Sequence, residues 1–180
     1  TRRSSDLDKA VSPERRQLAK TGVLRSAYML GNGEEVMLAA TDLLAETKVA
    51  PELSNEAHYY RAKAYLDAGK VEGAMDDLKI LAKDTRNIYG AEAKYKVAQI
   101  YFDAGQTEQA EKEVLDYIEV STPHTYWLAR SFVLLSDVYM KLGRNLDAKQ
   151  YLLSLKQNYQ ADDDIAGMIE SRLNKLNAEN

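Results

Sequence analysis

Cysteine is missing from this chain altogether. Its absence rules out disulfides and thiolate metal ligation but leaves the compartment open. A basic excess is missing too: 24 Lys and Arg stand against 28 Asp and Glu, for a net charge of −4 and a pI near 5.3. No electrostatic footprint for nucleic acid is therefore expected. No apolar run approaches 18 residues, so no membrane-spanning helix is expected within this segment. No stretch alternates apolar and polar residues between turn signals, which argues against strands.

Catalytic signatures are equally scarce. G-x-S-x-G, P-loop, H-E-x-x-H and dinucleotide fingerprints do not occur. The two histidines, His58 in a predicted helix and His124 behind Pro123, read as packing or surface residues. Asp162, Asp163 and Asp164 form a consecutive triplet without the alternating ligand spacing of a calcium loop, and fit a helix start better. Asp76 and Asp77 read as a solvated helix face. No catalytic residue, metal or cofactor is expected. The chain opens at Thr1 without methionine and reads as a fragment or processed product, with any leader or anchor upstream.

What is present is a soluble, folded composition, 45% hydrophobic and 29% charged, in 180 residues. It also carries a repeat. AYLDAGKVEGA at 64–74, IYFDAGQTEQA at 100–110 and VYMKLGRNLDA at 138–148 share tyrosine, three residues, glycine, four residues, alanine. From 12 Tyr, 9 Gly and 23 Ala, chance supplies only about 0.07 such matches. Tyr65, Tyr101 and Tyr139 lie 36 and 38 residues apart.

The spacing predicts helix pairs. Gly69, Gly105 and Gly143 follow one amphipathic stretch and precede another, where a left-handed residue ends a helix at low cost. Ala74, Ala110 and Ala148 fall one turn into the second helix and admit close approach. Leu78 and Leu81, Val114 and Tyr117, and Leu152 and Leu155 continue that face at helical spacing. Ser12-Pro13-Glu14 and Thr122-Pro123 offer helix starts. Helices are expected near 13–31, 34–48, 54–68, 71–84, 88–104, 107–120, 123–142, 145–159 and 163–177. The first pair is atypical. Tyr28 precedes Tyr65 by 37 residues, yet Asn32 takes the glycine position and Met37 the alanine position, with Ala39 or Ala40 as substitutes.

These residues resemble the tetratricopeptide repeat (TPR) family over about residues 14–159, although the tryptophan-leucine-glycine opening is mostly absent. The resemblance implies an all-α, right-handed α-solenoid of about four helix pairs plus a C-terminal capping helix. The domains would be a flexible segment at 1–12, the repeats at 13–160 and the cap at 161–180. In the cap, Ile165, Ile169, Leu173 and Leu176 would cover the last pair, leaving Glu170, Asn174 and Lys175 in water. YGAEAKYKVAQIYFDAGQTEQAEKEVLDYI and HTYWLARSFVLLSDVYMKLGRNLDAKQYL also resemble repeats of bacterial envelope scaffolds, implying a periplasmic or envelope-associated protein, with the cytoplasm as alternative.

The resemblance further implies a non-catalytic scaffold that binds a protein or peptide on the concave face of its first helices. The alternative is a structural spacer, stacking only on other repeats, including upstream ones, of the same long chain. Family positions six before, two before and one after the tyrosine line the groove: Gly22, Ser26 and Met29; Tyr59, Lys63 and Leu66; Tyr95, Gln99 and Phe102; Val133, Asp137 and Met140. Tyr59, Lys63, Leu66, Tyr95, Gln99, Phe102, Asp137 and Met140 are the expected contacts. Gly22/Ser26 and Tyr59/Lys63 do not reproduce the lysine-asparagine pair that grips chaperone tails.

Overall fold

The computed structural model describes residues 12–178. All regular structure among them is helical, in nine helices: α1 (Pro13–Met29), α2 (Gly33–Leu44), α3 (Pro51–Asp67), α4 (Val71–Leu81), α5 (Ile88–Asp103), α6 (Thr107–Ile118), α7 (Thr125–Lys141), α8 (Asn145–Asn158) and α9 (Ile165–Ala178). The chain divides into two compact units, one ending at Ile80 and one beginning at Leu81.

Glycine closes each turn. Gly69, Gly105 and Gly143 have φ of +70°, +75° and +73°, in open space. The amides that follow them, on Lys70, Gln106 and Arg144, donate to the carbonyls of Tyr65, Tyr101 and Tyr139 at 2.8, 2.9 and 2.8 Å. This six-residue closure satisfies a carbonyl that the helix end would otherwise orphan. It also corrects the register of the first pair. There Gly31, with φ of +68°, takes the glycine position, and Asn32 donates its amide to Ala27 at 3.0 Å. Asn32 itself has φ of −84° and caps α2, its side chain accepting from the Glu35 amide. Ala27, not Tyr28, is therefore equivalent to Tyr65, and Val36, not Met37, Ala39 or Ala40, to Ala74. Ala27, Val36, Ala74, Ala110 and Ala148 are all buried.

In the first unit α2 packs on both α1 and α3. Leu24, Ala27, Val36, Ala39, Ala40, Leu43, Ala57 and Ala64 form its core. In the second, α6 packs on α5 and α7, and α8 on α7. The apolar stripe of α9 covers this last pair: Ile165, Ile169, Leu173 and Leu176 are buried, while Glu170, Asn174 and Lys175 are exposed. Burying four such side chains contributes on the order of 1.5–3 kcal/mol each.

Two predicted helix starts resolve differently. Ser12 caps α1 by accepting from the Arg15 amide at 3.3 Å. Thr122 does not cap α7, which begins at Thr125; its hydroxyl instead donates to the Thr85 carbonyl at 2.8 Å and accepts from the His124 amide at 3.2 Å, tying two loops together.

Candidate functional site

The second unit brings three of the eight expected contacts together. Phe102 at the end of α5 and Asp137 and Met140 on α7 line one cavity of about 370 Å³, joined by Lys141 of α7 and Lys175 of α9. Their convergence follows from the repeat. Phe102 and Met140 each stand one residue after a repeat tyrosine, and α5 lies against α7. Asp137 is already paired: Arg172 of α9 grips it with two hydrogen bonds of 2.8 and 2.6 Å, Nε and Nη2 donating. The resulting floor is apolar, with a neutralised ion pair on one wall and two lysines at the rim.

Gln99 and Tyr95 lie one and two turns earlier on α5. Tyr95 is only 6% exposed, packed beside Trp127 with ring centroids 5.6 Å apart. Its hydroxyl donates to Gln99 Oε1 at 2.9 Å, and Gln99 passes a hydrogen bond to Asp103 at 2.8 Å. The Arg130 guanidinium stands over the Tyr95 ring at 5.2 Å and the Tyr126 ring at 5.7 Å, and pairs with Asp164 at 3.2 Å. Tyr126 and Trp127 belong to this aromatic cluster, their rings edge to face, and pack against the core. Tyr95 thus offers a partner little more than a hydroxyl edge. Its ring holds α7 in place.

In the first unit Tyr59, Lys63 and Leu66 share one side of α3, each half-buried. The Lys63 ammonium lies 5.4 Å from the Tyr59 ring centre, within cation–π range. The corrected register replaces Gly22, Ser26 and Met29 by Thr21, Arg25 and Tyr28 at the equivalent positions of α1. Thr21 is buried; Arg25 holds Glu56 of α3 through two hydrogen bonds of 2.6 and 2.7 Å, and Tyr28 stacks on Tyr60 at 4.0 Å. Thr21/Arg25 likewise lacks the lysine-asparagine pair.

Asp77 overturns its reading as a solvated residue. Asp76 is exposed, but Asp77 is only 1% exposed and lies under α3. Arg61 donates to both its oxygens at 2.8 and 2.7 Å, and His58 Nδ1 lies 2.7 Å from Oδ1. Arg61 also donates to the Thr41 hydroxyl of α2 at 2.9 Å, so three helices share one charged node. Burial works to raise the Asp77 pKa, but the hydrogen bonds from Arg61 and His58 outweigh it and hold the carboxyl below its ordinary value. Of the aspartate triplet, Asp163 is used locally, accepting from the Ile165 amide at 3.0 Å and from the Tyr159 hydroxyl at 2.6 Å, whereas Asp164 pairs with Arg130. Burial, then the bond to Asp163, push the Tyr159 phenol up to about 12.

Lys141, Arg172 and Lys175 are the site residues that sequence reading misses. Arg172 and Lys175 lie on the capping helix, whose polar side reads as solvent-facing. The clue is their spacing of three residues, which puts both cations on one face of α9.

No family model and no curated protein matches this chain. Solved structures do. One is a Q17M version of a Podosopora anserina kinesin light chain-like protein with nearly identical TPR-like repeats. It superposes with a TM-score of 0.56 at 15% identity, covering 91% of this chain and 93% of its own. A second structure of those repeats gives 0.55 at 16% identity, covering 93% and 95%. The fold is TPR-like. At such identity the likeness is one of fold alone. No helix among the described residues is long and apolar enough to cross a membrane.

Proposed function

We propose that this chain is a non-catalytic interaction scaffold that binds a protein or peptide segment along the exposed side of its first helices. The observation that carries this reading is the shared cavity of Phe102, Asp137 and Met140. Apolar anchors in a concave recess with a polar rim are what peptide grooves require. Within the second unit Gln99 on α5 supplies a flanking contact and Tyr95 supports the surface from beneath; Tyr59, Lys63 and Leu66 on α3 are the candidate contacts of the first unit, taken by itself. The test is affinity capture on the immobilised chain, followed by competition with Phe102→Ala/Met140→Ala. Captured partners should fall at least about tenfold, since each lost anchor is worth roughly 1–2 kcal/mol. Undiminished capture with an unchanged circular dichroism melt would move binding elsewhere.

A spacer role is the second reading, and α1 favours it. Ala19, Gly22, Val23, Ser26 and Leu30 line an open groove of about 490 Å³. Among their equivalents, Ala57 and Ala64 on α3, and Ser131, Leu134, Leu135 and Val138 on α7, are buried, whereas Ala68 and Leu142, which match Leu30, are exposed. A further helix pair stacked on the other four positions would complete the pattern. A longer chain in which Val23 and Ser26 become protected from hydrogen exchange would support this role. We also place the protein in the bacterial envelope, on the resemblance of its second and third motif-bearing stretches. Fractionation that finds the full-length protein in the cytoplasm would remove that placement.

A further inference from the structure

We propose that the cavity between α5, α7 and α9 is the anchor subsite of this surface and selects an acidic–apolar peptide. An apolar side chain would sit on Phe102 and Met140, and an adjoining carboxylate would meet the ammonium groups of Lys141 and Lys175. The proposal rests on the interaction reading above and adds the chemistry of the partner.

Charge decides it. The chain carries a net −4, so a locally positive recess runs against its average. Asp137 is the one carboxylate lining the cavity, and its bidentate pair with Arg172 cancels it. Lys141 and Lys175 are exposed and hold no ion pair among the described residues. Both stand in the last turns of their helices. The carbonyl ends there, and that of α5 beside Phe102, offset about half a unit of charge each, so the rim stays positive by about half a unit. Desolvated apolar walls beside such a rim strengthen its field for an anion, because screening by water is weaker there. A basic peptide would meet repulsion at the same rim. The cap therefore does more than cover the last repeat: its Arg172 silences the acid and its Lys175 completes the site.

The test is selection of a random heptapeptide phage library on the immobilised full chain, then titration of the selected peptides into the ¹⁵N-labelled protein. Selected peptides should place Asp or Glu next to a large apolar residue and shift the amides of Phe102, Met140, Lys141 and Lys175. Lys141→Glu/Lys175→Glu, at two exposed positions, should weaken them about tenfold or more, as should raising salt from 50 to 500 mM, to a lesser degree. Peptides that map to the cavity without acidic residues, or that bind the double variant equally, would overturn the acidic preference while leaving the interaction surface standing. Peptides that map elsewhere, or no enrichment at all, would overturn both.

Discussion

Replacing Gly90 by alanine should destabilise this protein, although alanine is the better helix former. Gly90 is the third residue of α5. The Asn87 side chain accepts from its amide at 2.9 Å and donates to the Asp84 carbonyl at 2.8 Å, folding the connecting loop back onto the helix. A β-carbon on Gly90 would overlap the Asp84 carbonyl oxygen and lie 2.7 Å from that of Leu81. Both obstacles are backbone, so relief needs the loop to move by more than an ångström and break the Asn87 clamp. Overpacking of this kind costs about 1–3 kcal/mol, and a lost cap about 1 kcal/mol more; helix propensity returns about 1 kcal/mol. The net is a loss of about 1–3 kcal/mol, or roughly 2–12 °C in melting temperature for a chain of this size. Gly167 supplies the control. It is also third in its helix, α9, has no positive φ, and would meet nothing within 4 Å. Alanine there should gain about 0.5–1 kcal/mol. Thermal unfolding followed at 222 nm reads both signs. Equal shifts for the two variants would refute the close approach at Gly90.

Gly105→Val should cost at least about 1–2 kcal/mol, because a β-branched residue resists the left-handed turn; an unchanged urea midpoint would show that the turn tolerates it. Asp77→Asn leaves Arg61 and His58 around an uncharged partner and should cost about 3–5 kcal/mol at neutral pH. Because the folded-state pKa of Asp77 lies below its unfolded value, its contribution is present above about pH 4 and is lost as pH falls through the folded value. The urea midpoints of the wild type and Asp77→Asn should therefore converge in acid; parallel curves from pH 7 to 2 would contradict the node. Deleting residues 163–180 should expose the faces of α7 and α8 beneath Ile165, Ile169, Leu173 and Leu176, giving aggregation in light scattering. A monomeric, equally stable truncation would show that α9 is dispensable.

Local chemistry made much of this architecture legible in the sequence. Turn glycines, the tyrosine and alanine around them, and the apolar period of each helix depend on residues within one or two turns, so pattern reading finds them. The same holds for the stripe on α9. The first pair defeated that reading because Tyr28 sits one place from the expected position, and only the bond from the Asn32 amide to Ala27 showed that Gly31 closes the turn. Burial was beyond pattern reading wherever a distant partner decides it. Asp77 is buried because Arg61 and His58, 16 and 19 residues earlier, meet it. Tyr95 is buried because Trp127 packs beside it from the next repeat. The candidate cavity has the same origin. Phe102 and Met140 follow from the repeat, but Arg172 and Lys175 reach it only because α9 folds its cationic edge against α7, and an ion pair 35 residues long in sequence carries no local signature.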